Sequence, residues 1–288
     1  MSLRRSFQTQ TVTRNAAVVL LLAACCVWIA GCGVQAYEQR LNNANEMFAY
    51  QNRLDRILSK SAWADPYGFG VTMRLPNGYA QIPAPAAPAE GDESAEPIAD
   101  PRQPTYLGIT ELEGLLGAWK LQSAGNSGAN AFLYVVSNHH RMLAAGPGEN
   151  KLPHDEFLQD LEALLDLQLG ISVEDGGQAR SQENVKVSES LPRDDTIAKY
   201  TRRKEFVSMQ LVPSGDALQQ LGLPELEIYV YEHRAGSVQV ALLLVAPLSV
   251  RDNPDANLRV ALETLTVSDQ APRAAAPGES GASSRSGF

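Results

Sequence analysis

Cysteine is scarce in this chain. The 288 residues include three, Cys25, Cys26 and Cys32, and none follows position 32. A body without thiols supports no disulfide framework, no Cys-ligated metal and no Cys nucleophile. Basic charge is also in deficit, with 24 Lys+Arg against 33 Asp+Glu and a formal net charge of -9. A surface that binds nucleic-acid phosphates needs the opposite balance, so no nucleic-acid partner is expected. Long apolar runs are missing as well. AAVVLLLAACCVWIA over 16–30 has fifteen residues, whereas a bilayer-spanning helix needs about 20. What is present is a 44% hydrophobic fraction. That is enough for a real core, and the length allows one ordinary domain with appendages or two small ones.

The amino terminus reads as an address. Residues 1–15 carry Arg4, Arg5 and Arg14 and no acid, and the apolar run follows. A basic start before a short apolar stretch fits a signal peptide over 1–31. The run ends in Ile29-Ala30-Gly31-Cys32, which resembles the lipobox of bacterial lipoproteins. The resemblance implies cleavage between Gly31 and Cys32 and lipidation of Cys32 by palmitate-type acyl chains. The alternatives are a secretory peptide with an incidental Cys, or an uncleaved anchor. Arg4-Arg5-Ser6-Phe7 looks like a twin-arginine export signal, but Gln8 and Thr9 follow where Leu and Lys are usual. Removing the three signal arginines takes the charge from -9 to -12. An anionic leaflet repels such a body, so acyl chains must hold it, and stable anchoring takes at least two. Gly33, where an Asp would resemble an inner-membrane retention signal, favours the outer membrane. The expected location is the cell envelope, as a membrane-anchored lipoprotein facing the periplasm.

Residues 36–60 lack Gly and Pro, and Leu41, Ala44, Phe48, Leu54, Ile57 and Leu58 recur at helical spacing. This predicts a membrane-proximal helix within 32–66, either a stalk or partner-binding helix or one laid on its own domain. Phe69 to Leu75 alternates as a strand, Pro76-Asn77-Gly78 is a turn, and Tyr79 to Ile82 starts a second strand. Residues 83–104 are rich in Pro, Ala and acid and read as a disordered insert. Glu90, Asp92, Glu93, Glu96 and Asp100 lack the Gly-centred spacing of a calcium loop, so a solvated loop is the better reading. Leu112, Leu115, Leu116 and Trp119 are apolar anchors within 106–121, and Ala131 to Val136 is a buried-strand run. Residues 154–169 form an amphipathic helix ending at Gly170. Strands are expected over 184–191 and 198–212. Leu226 to Tyr231 and Val238 to Ala246 form a hairpin whose second strand is apolar throughout and therefore central. Asn253-Pro254 reads as an N-cap and N1 pair for a core-facing helix with Leu258, Ala261, Leu262 and Leu265. Residues 269–288 are a Pro/Ala/Gly/Ser-rich disordered tail.

This order predicts an α+β fold, an antiparallel β-sheet flanked by helices in an α/β/α sandwich. It resembles the PsbP-like superfamily, which includes PsbP of photosystems, the Ran-binding Mog proteins and several bacterial lipoproteins. The likeness rests on Gly68-Phe69-Gly70-Val71 to Pro76-Asn77-Gly78-Tyr79 as an opening hairpin. It rests too on Glu227 to Pro247 as the late hairpin, and on Leu258 to Val267 as a closing helix and strand. It covers roughly 68–268 and implies a PsbP-like domain over 67–268. Family members are mostly binding or assembly modules without a shared catalytic residue, so no residue role carries over.

His139, His140, His154 and His233 are the metal candidates. On a strand end His139 and His140 point to opposite faces, so exposed loop histidines are expected instead. Gly125-Asn126-Ser127-Gly128 lacks the last Gly of a nucleophile elbow. Gly146 to Leu152 lacks the Gly-Lys-Ser/Thr step of a phosphate loop. Arg202-Arg203-Lys204, near Arg193 and Lys199, is the basic cluster. Arg202 and Lys204 share a strand face and form a possible partner surface, the alternative being a charge-guarded sheet edge. Tyr229 and Tyr231 fit sheet packing. No catalytic residue, metal ligand or cofactor is assigned. The expected function is a lipid-anchored, non-enzymatic binding or assembly module with a protein partner in the envelope. The alternative is an envelope enzyme or small-ligand binder, with its site in a cleft between the sheet and 106–121, near Trp119 and a carboxylate. A third reading is a spacer that holds the domain off the membrane.

Overall fold

A computed structural model describes residues 34–85, 99–121, 130–143, 153–171, 174–175, 183–250 and 253–269. Gly31, Cys32, the signal segment, most of the acidic insert and the tail after 269 lie outside the described residues. The chain divides into two compact units, Met1–Leu54 and Asp55–Phe288.

A helix, α1, runs over 34–57. Its residues Tyr37, Leu41, Met47 and Phe48 are exposed. Among the described residues no helix is long and apolar enough to cross a membrane. The expected helix to Lys60 is too long. Leu58–Ala64 is a strand, β1, antiparallel to β2 (Val71–Pro76). Ser59 and Ser61 are weak helix formers, and pairing with β2 gives their backbone a better set of partners.

The second unit carries two sheets. The smaller has the order β1-β2-β11, with β11 at Thr266–Val267. The larger is eight-stranded and begins at one edge with β3 (Tyr79–Gln81), β4 (Leu115–Leu121) and β5 (Phe132–Ser137). It continues through β10 (Val238–Pro247), β9 (Leu226–Ala235), β8 (Lys204–Leu211), β7 (Val185–Leu191) and β6 (Glu174–Asp175). Its pairings are antiparallel except β6 with β7. The turn at Asn77-Gly78 therefore does not close a hairpin: β2 and β3 belong to different sheets. Gly78 (φ 86°) permits that sharp exit.

Strand β10 lies between β5 and β9 and is buried on both faces, as its unbroken apolar run requires. On one face Ala241, Leu243 and Val245 join Phe157, Leu161 and Leu165 of α3 (Phe157–Leu169) in the main core. On the other, Val240, Leu242 and Leu244 are buried where α6 (Pro254–Glu263) packs on β10 and β2. Asn253 caps α6 by accepting from Ala256 N at 3.1 Å, with Pro254 following. The architecture is the expected antiparallel sheet between helices.

Residues 198–203 are not strand, because Asp195–Ala198 forms a helical turn, α4, and β8 starts at Lys204. A further helix, α5 (Gly215–Leu221), is capped by Ser214. Residues 99–104 of the expected insert are described and ordered by contacts: Arg102 is buried and gripped by Asp100, with Arg102 Nη2 2.7 Å from Asp100 Oδ2.

Candidate functional site

Two irregular stretches meet at a cleft of about 410 Å³. The first is the loop after β1. Asp65 is buried, and its carboxylate accepts backbone N–H bonds from Tyr67 (3.0 Å), Phe69 (2.8 Å) and Val71 (3.0 Å). Gly68 and Gly70, at φ 75° and 76°, let the chain curl around that carboxylate. The curl stacks three rings. Tyr67 lies 5.6 Å from Phe69, and Phe69 lies 4.4 Å from His139 at 9° between planes. Tyr67 at the outer end is 52% exposed, and His139 at the inner end is fully buried.

The second stretch is 102–116. Gln103 Oε1 accepts from Leu112 N at 2.6 Å. Glu113 then reaches α2 (His139–Leu143): its Oε1 accepts from His140 Nε2 at 2.5 Å and Arg141 Nε at 2.7 Å, and its Oε2 from Arg141 Nη2. Arg141 also reaches the Pro153 carbonyl at 2.9 Å and Asp160 of α3 at 2.7 Å. The guanidinium thus pins β4's entry, α2 and α3 together. Arg141 holds the Glu113 carboxyl below the usual range, against the opposing effect of burial. Gly114 sits where its carbonyl accepts from Ser137 N at 2.9 Å.

His140 Nδ1 faces the Ser137 carbonyl at 3.2 Å, and Nε2 faces Glu113. Both neighbours are acceptors, so each ring nitrogen has a partner for an N–H. His139 differs. Ser137 Oγ donates to the Gln239 carbonyl at 2.8 Å, which leaves Oγ to accept from His139 Nδ1 at 2.6 Å. Burial lowers the His139 pKa, opposed by the Asp65 charge and the Phe69 backbone, and favours the neutral ring.

The two adjacent histidines are therefore not exposed loop residues. They open a helix, with one in the core and the other on the cleft wall. The cleft lies against the 106–121 segment, but Trp119 is not in it. Trp119 is buried edge-on to Trp63, with centroids 4.9 Å apart at 88°. His154 and His233 are in other places, and His233 donates to the Glu205 carbonyl at 2.8 Å. Tyr231 packs in the sheet and donates to Asp255, while Tyr229 donates to Glu227. The Gly125–Gly128 and Gly146–Leu152 loops lie outside the described residues, as do the acids from Glu90 to Glu96.

Arg202 and Lys204 line a separate cleft of about 790 Å³. Lys204 is not on a sheet edge, because β8 lies between β7 and β9. Its Nζ donates to the Glu263 carbonyl at 2.8 Å, and burial lowers its pKa. Arg202 is exposed beside it. Glu113, Arg141, Asp65 and Arg102 were not singled out in the sequence. Arg141 and Glu113 are 28 residues apart with no motif joining them.

No family model matches this chain, and no curated protein does. Among solved structures, the Ran-binding protein Mog1p of Saccharomyces cerevisiae is similar over 73% of this chain and 96% of that one. The sequence identity is 14% and the TM-score 0.32. At that level the likeness says nothing of a shared partner, and the α+β architecture described above stands on the chain's own strands and helices.

Proposed function

We propose that the chain is a lipid-anchored envelope protein whose α+β domain is a non-enzymatic binding module, docking a protein partner in the cleft between Tyr67 and Glu113. The observation that carries this reading is how the cleft's polar side chains are used. Of the polar side chains that line it, Arg102 is gripped by Asp100 and Glu113 by His140 and Arg141, while Asp65 and Arg141 brace the segments that carry the lining residues. A preformed wall with an exposed aromatic at its mouth suits docking, since little order is lost on binding. The partner segment would lay an apolar or aromatic side chain on Tyr67 and turn hydrogen-bond donors toward Glu111 and Glu113. The anchoring half of the proposal rests on Ile29-Ala30-Gly31-Cys32 and the basic, apolar leader before it.

A photo-crosslinking residue at position 67 in the full chain tests the docking claim. A discrete covalent adduct is expected there and not at Leu167, which is 79% exposed on α3. No adduct at 67, or the same adducts at both positions, overturns it. Mass spectrometry of the native amino terminus tests the anchor: an acylated Cys32 is expected, and an unmodified chain starting at Met1 overturns it.

A further inference from the structure

A third cleft, of about 390 Å³, opens on the α3 face of the large sheet beyond the apolar core. Strand positions that would continue the core carry charge there. Glu232 and Arg234 come from β9, Glu205 from β8, Lys186 from β7, and Glu162 from α3. Glu232 is the unusual member. It is only 6% exposed, and its Oε1 meets no hydrogen-bond partner among the described residues. Lys186 Nζ lies 2.6 Å from Glu162 Oε2. A buried carboxyl oxygen left without a partner is costly, and an ionised one more so.

We propose that this cleft binds a small organic ammonium ion, with Glu232 as its charged partner. With Glu232 neutral, the two acids Glu162 and Glu205 balance the two bases Lys186 and Arg234. Ionising Glu232 leaves one negative charge, which one ammonium neutralises. Burial first, and the adjacent Glu162 carboxyl second, push Glu232 up to about 8, against Lys186 and Arg234. The proton is therefore present at neutral pH and is exchanged for the ligand. The cleft far exceeds the size of a bare metal ion. Among the described residues no three His, Cys, Asp or Glu side chains are placed to hold one. An ammonium on a carbon skeleton uses the volume and donates the hydrogen bonds that Glu232 Oε1 lacks. The proposal is independent of the Tyr67 cleft and of the anchor.

Calorimetric titration of the folded protein with n-butylammonium chloride, from pH 6 to 9 and in two buffers of different ionisation enthalpy, is the test. Affinity should rise about tenfold per pH unit up to 8 and then level off, with close to one proton released per ligand at pH 7. Glu232→Gln should keep the fold, lose the pH dependence and bind at least tenfold more weakly at pH 8.5. Lys186→Met, which frees Glu162, should bind more tightly. Binding that does not vary with pH, equal binding by Glu232→Gln, or Mg²⁺ displacing butylammonium at lower concentration would each overturn the assignment.

Discussion

Gly114 has almost no room for a side chain. Its φ is 70°, and a Cβ there would lie 2.1 Å from the Ser137 carbonyl oxygen and 3.0 Å from His140 Nδ1. Strain and clash act together, so Gly114→Ala should lower the unfolding free energy by at least ~2 kcal/mol in urea titration. Glu232 gives a pH signature of the opposite kind. Its carboxyl titrates near 8 when folded and in the ordinary range when unfolded. The protonated form is thus favoured by folding. Its contribution is intact below the unfolded value and is lost as pH climbs from about 4.5 to 8, by up to about 1.4 kcal/mol per unit. Glu232→Gln removes that slope. The variant should match the parent near pH 4.5 and melt at a higher temperature at pH 9, as thermal unfolding at both values will show. Equal melting temperatures at pH 9 would refute the buried, proton-bearing carboxyl. His139 acts at the other end of the scale. Its lowered pKa means the unfolded chain takes up protons first as pH falls through its ordinary range, which weakens the fold there.

Among elements, the Arg141 clamp should matter more than any single wall residue. The guanidinium is 3% exposed, while Glu113 and Asp160 are 36% and 48% exposed. Breaking a fully buried pair costs roughly 3–5 kcal/mol. Solvent at the two carboxylates reduces that, so Arg141→Met should destabilise by about 2 kcal/mol and loosen the Tyr67 cleft. Denaturant unfolding measures the first effect, and loss of crosslinking at position 67 the second. The contrast between legible and illegible elements has a physical root. The β9–β10 hairpin, α3 and α6 were readable because alternation, helical spacing and the Asn253-Pro254 cap all lie within a dozen residues. Leu58–Ala64 was misread because nothing local distinguishes a helix end from a strand whose partner is β2. Asn77-Gly78 reads as a hairpin turn, and only the layout of two sheets shows that it passes the chain between them. A cleft does lie against the 106–121 segment, but Trp119, the residue expected there, is core. The groups that shape the wall come together through ion pairs without spacing rules. The histidines were misplaced for the same reason, since burial of His139 depends on Phe69 and Ser137 from two other elements.

For the whole molecule, the closing step is the pairing of the last strand with one of the first. Val267 lies opposite Val71 and Thr266 opposite Thr72, whose hydroxyls also bond each other across 194 residues of chain. Arg74 N donates to Thr264 Oγ1 at 2.9 Å, and Ser268 N to the Gly70 carbonyl at 3.1 Å. Contacts of such sequence separation form late, because the loop they close is long. A chain still being made cannot complete this seam until residues 264–268 have left the ribosome. A translation product stalled at residue 255 should therefore be cut readily by protease, whereas the released chain resists. Until those residues emerge, β2 keeps one edge open to any strand able to match it, and its proper partner arrives after every competitor the chain itself supplies.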